Sequence, residues 1–227
     1  MDVSQLPSTF SKEIQNNVIP FQATSTMMVC GPTNCGKTRW IHHLLKNSMF
    51  SEKVASVLYC YGVYQDRYNQ MMIDIPNIRF HEGVPSLETL QEMRDGHFHV
   101  VVLDDLMESV VSDVNIQKLF TQHCHHYHFT VILVYQNVYV QGKYARSIAV
   151  NTHISVHFEN KRDVRQIRTF ASQLYPKNPK AFIEAYEDAT RLPYGYLVVD
   201  CSPGTSKEVS WRSNIFPDQY TIVYAPK

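Results

Sequence analysis

The chain carries no excess of charge of either sign: 21 Lys and Arg balance 21 Asp and Glu over 227 residues. No global field therefore announces a nucleic-acid partner, and any contact with DNA or RNA has to come from local basic patches. Cysteine is sparse. The five cysteines, at positions 30, 35, 60, 124 and 201, are odd in number and form no Cys-x-x-Cys pair, which argues against a disulfide framework and for a reducing compartment. No apolar run reaches the length of a membrane span, and the N-terminus lacks the charged-then-apolar layout of a signal peptide. Internal repeats and low-complexity tracts are missing as well. These absences predict a soluble intracellular protein, and the length suits one domain with one substantial core.

What is present centres on Gly31-Pro32-Thr33-Asn34-Cys35-Gly36-Lys37-Thr38, a complete phosphate-binding loop. Met27 to Cys30 before it read as a buried strand, and Arg39 to Lys46 after it carry apolar residues at helical spacing. In that context successive backbone N–H groups wrap a β-phosphate, the helix N-terminus adds its positive dipole end, Lys37 reaches the β- and γ-phosphates and Thr38 holds Mg²⁺. The loop and Arg39, the first residue beyond it, are thus candidate contacts for ATP.

A second signal lies 66 residues beyond Thr38. Val100 to Leu103 form an apolar run that ends in Asp104 and Asp105. A buried strand would deliver Asp104 to the metal beside Thr38, with Asp105 placed to orient or deprotonate the attacking water. The spacing leaves room for an extra strand between the two motif strands, the arrangement of RecA-like, additional-strand P-loop NTPases. A third apolar run, Val131 to Tyr135, ends in Gln136 and Asn137. An amide there can touch both γ-phosphate and water, which makes Gln136 a candidate sensor.

Further strands are expected at Val54 to Tyr61, Ile154 to Phe158 and Tyr196 to Val199, with helices over 37–47, 86–95, 113–126, 162–174 and 179–189. This alternation predicts an α/β fold: a mostly parallel central sheet with helices on both faces. Residues 1–20, polar and without periodicity, read as a flexible arm, and 21–227 as a single P-loop ATPase domain. The run Tyr220 to Tyr224 suits an edge strand or a packing arm. His123-Cys124-His125-His126-Tyr127-His128 lacks the second separated pair of ligands that a zinc site needs, so a helix end rich in histidine is the better reading. Cys35 is better read as a small loop filler than as a nucleophile. Tyr59, Tyr61, Tyr64 and Tyr68, with Arg67, read first as half-buried sheet tyrosines and second as stacking or phosphate contacts.

Taken in order, these segments resemble the genome-packaging ATPases of the FtsK–HerA superfamily, found in large eukaryotic DNA viruses and Polinton-type (Maverick) elements. The resemblance covers roughly residues 24–216. It adds to the motifs above His125-His126, Gly142 to Ile148 with Asn151, Phe158 to Asp163, Tyr194 to Asp200 and Asn214 to Phe216. It implies an ATP-driven motor that assembles as a homo-oligomeric ring and pulls double-stranded DNA into a preformed capsid. The implied partners are DNA and a capsid or portal vertex protein, and the implied place is the host nucleus or cytoplasm, or the virion. Such motors take an arginine from the neighbouring subunit to neutralise transition-state charge. Arg146 is the first candidate, in a segment expected to reach across a subunit boundary, and Arg162 the second. Many superfamily members have Glu where this chain has Asp105, one methylene shorter, so a bridging water or slow hydrolysis follows. The rival readings are a helicase or DNA-pumping ATPase and a nucleotide-dependent assembly protein without turnover.

Overall fold

In a computed structural model, which describes residues 9–14 and 18–226, the apolar runs of the sequence become the strands of a single sheet. The strands are β1 (Thr9–Ile14), β2 (Thr26–Cys30), β3 (Ser56–Tyr61), β4 (Ile78–Glu82), β5 (His99–Asp104), β6 (Phe129–Tyr135), β7 (Ile154–Phe158), β8 (Tyr196–Asp200), β9 (Trp211–Ser213) and β10 (Thr221–Pro226). Their order across the sheet is β1-β10-β9-β8-β7-β2-β6-β5-β3-β4. From β7 to β4 all neighbours pair in parallel, and from β8 to β1 all pair antiparallel. The chain is therefore a mixed α/β fold, parallel through its centre, with an additional strand between its two motif strands.

That strand is β6. The interval between the phosphate loop and Asp104 is occupied by β3 and β4, which lie outside β5, whereas the strand separating β2 from β5 comes later in the sequence. Parallel neighbours need crossover connections, so sequence order and sheet order diverge.

The helices are α1 (Lys37–Lys46), α2 (Arg67–Asp74), α3 (Leu87–Glu92), α4 (Met107–Val110), α5 (Val114–Lys118), α6 (Cys124–Tyr127), α7 (Ala145–Val150), α8 (Val164–Leu174) and α9 (Pro179–Ala189). Alternate residues of each central strand face opposite layers. Met27, Val29, Val100, Val102, Ile132 and Val134 pack with Trp40, Ile41 and Leu44 of α1 and Tyr68 and Met71 of α2. Met28, Cys30, Val101, Leu103, Val131 and Leu133 pack on the other side, with Leu90, Val110, Ile116 and Ile148 from α3, α4, α5 and α7. A third cluster joins α8 and α9 to Leu197, Val199, Trp211 and Tyr224 at the antiparallel end.

Three expectations differ from what is found. Thr9–Ile14, inside the expected arm, pair residue for residue with β10, from Thr9 opposite Pro226 to Ile14 opposite Thr221; residues 1–8 and 15–17 of that arm lie outside the described residues. The pairing satisfies backbone groups that β10 would otherwise present as an open edge, so β10 is an inner strand. The helix expected over 113–126 is interrupted by a π turn at Leu119–His123. The segment from Gly142 to Ile148, expected as a loop, enters α7 at Ala145, and its start packs on this chain: Tyr144 N–H donates to Val111 O at 2.9 Å, and a Cβ on Gly142 would stand 2.4 Å from Val111 Cγ2.

One buried ion pair ties β8 to β9. Arg212 Nη2 donates to Asp200 Oδ2 at 3.0 Å, with both side chains almost fully buried. Nη1 donates to Val209 O at 2.8 Å, and the guanidinium lies 4.8 Å from the Phe21 ring centroid. Removing one partner of such a pair strands the other charge. Arg212→Ala is therefore expected to lower the unfolding free energy by about 3–5 kcal/mol, read from urea denaturation midpoints at a constant slope.

Candidate active site

Four of the nine helices named above begin with a side chain that accepts from their free N–H groups. Ser86 does so for α3, Asp113 for α5, Asp163 for α8 and Asn178 for α9. At α1 the cap is Gly36, with φ of 110° and no side-chain acceptor. The first N–H groups of α1 are thus left for an external anion, and glycine is needed because few side chains tolerate that φ.

Around this uncapped end lies a cleft of about 480 Å³, lined by Thr33, Asn34, Gly36, Lys37, Thr38, Arg39, Gln65, Arg67, Asp104, Asp105, Val134, Gln136 and Tyr194. Residues from the ends of β5 and β6 thus meet the loop that follows β2. Lys37 Nζ donates to Gly31 O at 2.6 Å and to Pro32 O at 2.9 Å, so the ammonium rests on the carbonyls of its own loop. Cys35 Sγ stands 4.0 Å from the same nitrogen. A second pocket of about 300 Å³ shares Gly36, Arg39 and Tyr194 with the cleft and runs on to Trp40, His43, Asp188 and Phe216.

Asp104 is the most confined group of the cleft, at 3 % exposure. Thr38 Oγ1 donates to its Oδ2 at 3.3 Å, Tyr59 OH at 2.6 Å and Tyr68 OH at 3.4 Å. Burial pushes the Asp104 carboxyl above the ordinary range, against the lowering effect of the Tyr59 hydroxyl and the Lys37 charge. Burial, reinforced by the Asp104 charge, pushes both phenols up in turn, so both hydroxyls remain donors. One hydroxyl and one carboxylate beside an open cleft fit Mg²⁺, which takes one or two carboxylates and completes its shell with phosphate and water.

Asp105 departs from strand geometry. Alternation would turn residue 105 to the layer opposite Asp104, but a φ of 57° bends the chain so that Asp105 lines the same cleft. Gly62 makes room for that bend: its N–H donates to Asp104 O at 3.0 Å, and a Cβ there would stand 2.4 Å from Asp105 O.

Of the residues expected at the site, Gly31, Pro32 and Cys35 form the back of the loop, and the others named from it line the cleft with Asp104, Asp105 and Gln136. Arg146 is exposed on α7 and Arg162 is exposed before α8, and neither lines the cleft. Gln65 and Tyr194 were not expected to line it. Arg67, read only as a possible phosphate contact, reaches it from the start of α2.

The sign of the Asp104 shift has a consequence for the metal-free protein. Its folded state holds the proton more tightly than the unfolded chain, so the contribution of this one group to stability is greatest at low pH and is lost as pH rises through the raised carboxyl range. Asp104→Asn removes that penalty. In EDTA near about pH 7 the variant is expected to melt above wild type, with the gap closing as pH falls through the carboxylate range. An equal melting temperature at neutral pH would show that the hydroxyls fully offset the buried charge.

No protein-family model and no curated protein sequence matches the chain. Solved structures do. The genome packaging NTPase B204 from Sulfolobus turreted icosahedral virus 2, in complex with ATP-γS, aligns with a TM-score of 0.57 at 14% identity, over 80% of this chain and 95% of that one. Its complex with AMPPCP gives 0.56 at 13%, over 80% and 95%. The DNA-packaging ATPase B204 of Sulfolobus turreted icosahedral virus gives 0.55 at 14%, over 82% and 96%. At such identity the likeness is one of architecture, and in architecture this chain shares the P-loop NTPase fold of B204.

Proposed function

We propose that this chain is an ATP-hydrolysing motor that moves double-stranded DNA into a viral capsid. The observation that carries the reading is the convergence, at the ends of β2, β5 and β6, of an uncapped α1 with Lys37 and Thr38, a buried Asp104 and the cleft-facing Asp105 and Gln136. The fold shared with a DNA-packaging ATPase supports the choice of motor over other NTPases.

In this reading the N–H groups of the loop and of the first turn of α1 receive the phosphates, and Lys37 leaves the Gly31 and Pro32 carbonyls for the β- and γ-phosphates. The nucleoside extends into the pocket beside Trp40 and Tyr194. Thr38 and Asp104 would hold Mg²⁺, which supplies charge neutralisation at the phosphate oxygens. Asp105 takes the proton of the attacking water, and Gln136 orients that water against the γ-phosphate. Arg67 lines the cleft from its own subunit. Arg146, or failing it Arg162, would come from a neighbour in a ring, with Lys143, Arg165 and Arg168 offering exposed charge to the DNA backbone. The motor acts inside the host cell or on the virion, against a capsid or portal vertex protein.

Linear duplex DNA is expected to raise the rate of ATP hydrolysis. Lys37→Ala should abolish it, since among the described residues no other lysine lines the cleft. Turnover indifferent to DNA, with oligomers that form on ATP, would favour the assembly-protein reading.

Asp105 and Gly62 give a sharper test. Asp105→Asn removes a group that acts mainly in the transition state, so kcat is expected to fall about 100-fold or more with little change in ATP affinity. Gly62→Ala should reproduce the defect by pushing Asp105 out of place. Equal losses of affinity and turnover would move Asp105 from water activation to binding.

A further inference from the structure

Asp104 is held by more than a metal ligand of its kind needs for burial. All three of its side-chain hydrogen bonds fall on one oxygen, Oδ2. No hydrogen bond to Oδ1 is made among the described residues, and Asp104 lines the cleft. Two of the three donors are phenols that the nucleotide reading leaves without a task. Tyr59 stands on β3, the strand beside β5, where Tyr61 is the residue opposite Asp104. Tyr68 comes from α2, across the layer. Both are fully buried, with their rings 5.1 Å apart and the Phe80 ring 5.3 Å from Tyr59 and 5.0 Å from Tyr68.

The ring contacts of that aromatic nest do not involve the hydroxyls. Burying a hydroxyl costs free energy unless it is hydrogen-bonded, and here two hydroxyls are carried into the core to meet one carboxylate oxygen. A carboxylate fixed by donors on one oxygen is fixed in rotation, and the groups that orient a metal ligand tune its affinity for the metal.

We propose that Tyr59 and Tyr68 are positioning residues that clamp Asp104 by Oδ2 and thereby present Oδ1 to the divalent cation of the bound nucleotide. The proposal rests on the ATP and Mg²⁺ reading of the cleft and deepens it. It makes α2 part of the metal site without touching the metal. The same helix begins with Arg67, which lines the cleft, so a displacement of α2 would alter a cleft arginine and the Asp104 clamp together.

The test measures binding rather than turnover. A fluorescent ATP analogue with a non-hydrolysable β–γ bridge is titrated onto the full chain in EDTA, then at increasing Mg²⁺, for wild type, Tyr59→Phe, Tyr68→Phe and the double variant. Tyr59→Phe is expected to raise the Mg²⁺ concentration for half-maximal tightening by about 10-fold or more, leaving affinity in EDTA unchanged. Tyr68→Phe, which loses the longer bond, should shift it less in the same direction. If Tyr59→Phe does not fold, Tyr68→Phe decides alone.

An unchanged Mg²⁺ dependence in the folded variants, against a responsive wild type, would overturn the clamp and leave the ATPase reading standing. Loss of affinity in EDTA by the same factor would also overturn it, because the hydroxyls would then serve only the fold. A wild type whose analogue binding ignores Mg²⁺ would overturn both.

Discussion

Parallel pairing of β5, β6, β2 and β7 is the constraint on which the site depends. Parallel strands end on the same side of a sheet, so whatever chemistry each carries at its last residue is delivered to one edge. β2 delivers the phosphate loop, β5 delivers Asp104 and Asp105, and β6 delivers Gln136. Strand neighbours lie about 4.8 Å apart, so β2 and β5, separated by β6, stand roughly twice that distance from each other. The loop and the first turn of α1 span this gap, and Thr38 meets Asp104 at 3.3 Å. The inserted strand makes the width of the cleft.

The site is built from local departures that the surrounding sheet enforces. α1 starts without a side-chain cap, Asp104 is a carboxylate in a nearly closed environment, and Asp105 and Asn34 have left-handed φ values of 57° and 64°. Each departure costs stability alone. Together they leave unpaired donors, a constrained carboxylate and a bent strand end around one space, which are the features a charged phosphate ligand would satisfy. The cores on both sides of the sheet compensate, since the central strands are buried from end to end.

Much of this was legible in the sequence because its signals are local. A loop between an apolar run and a helical run, or an apolar run ending in two carboxylates, needs no knowledge of distant residues, and α1, β5 and β6 fall within a residue or two of where spacing puts them. What was not legible depends on partners far along the chain. Thr9–Ile14 form a strand only because β10 is there to pair with them. α2 is obscured by Met72 and Ile73, which are apolar yet exposed and blur its period. The task of Tyr59 and Tyr68 is invisible until β3 and α2 are brought against β5. The bend at Asp105 hides inside a motif whose letters suggest only a straight strand.

The place of β6 also bears on how the molecule comes to be. β2 and β5 never touch as strands; each pairs with β6, which is made after both. Contacts of such long sequence separation form slowly, because loop closure must precede the gain. The phosphate loop and Asp104 therefore have no common scaffold until Phe129–Tyr135 have left the ribosome and entered the sheet. Until then the emerging chain holds two halves of a cleft that are not yet joined, so a ligand bound there can favour the last steps of folding but cannot guide the first.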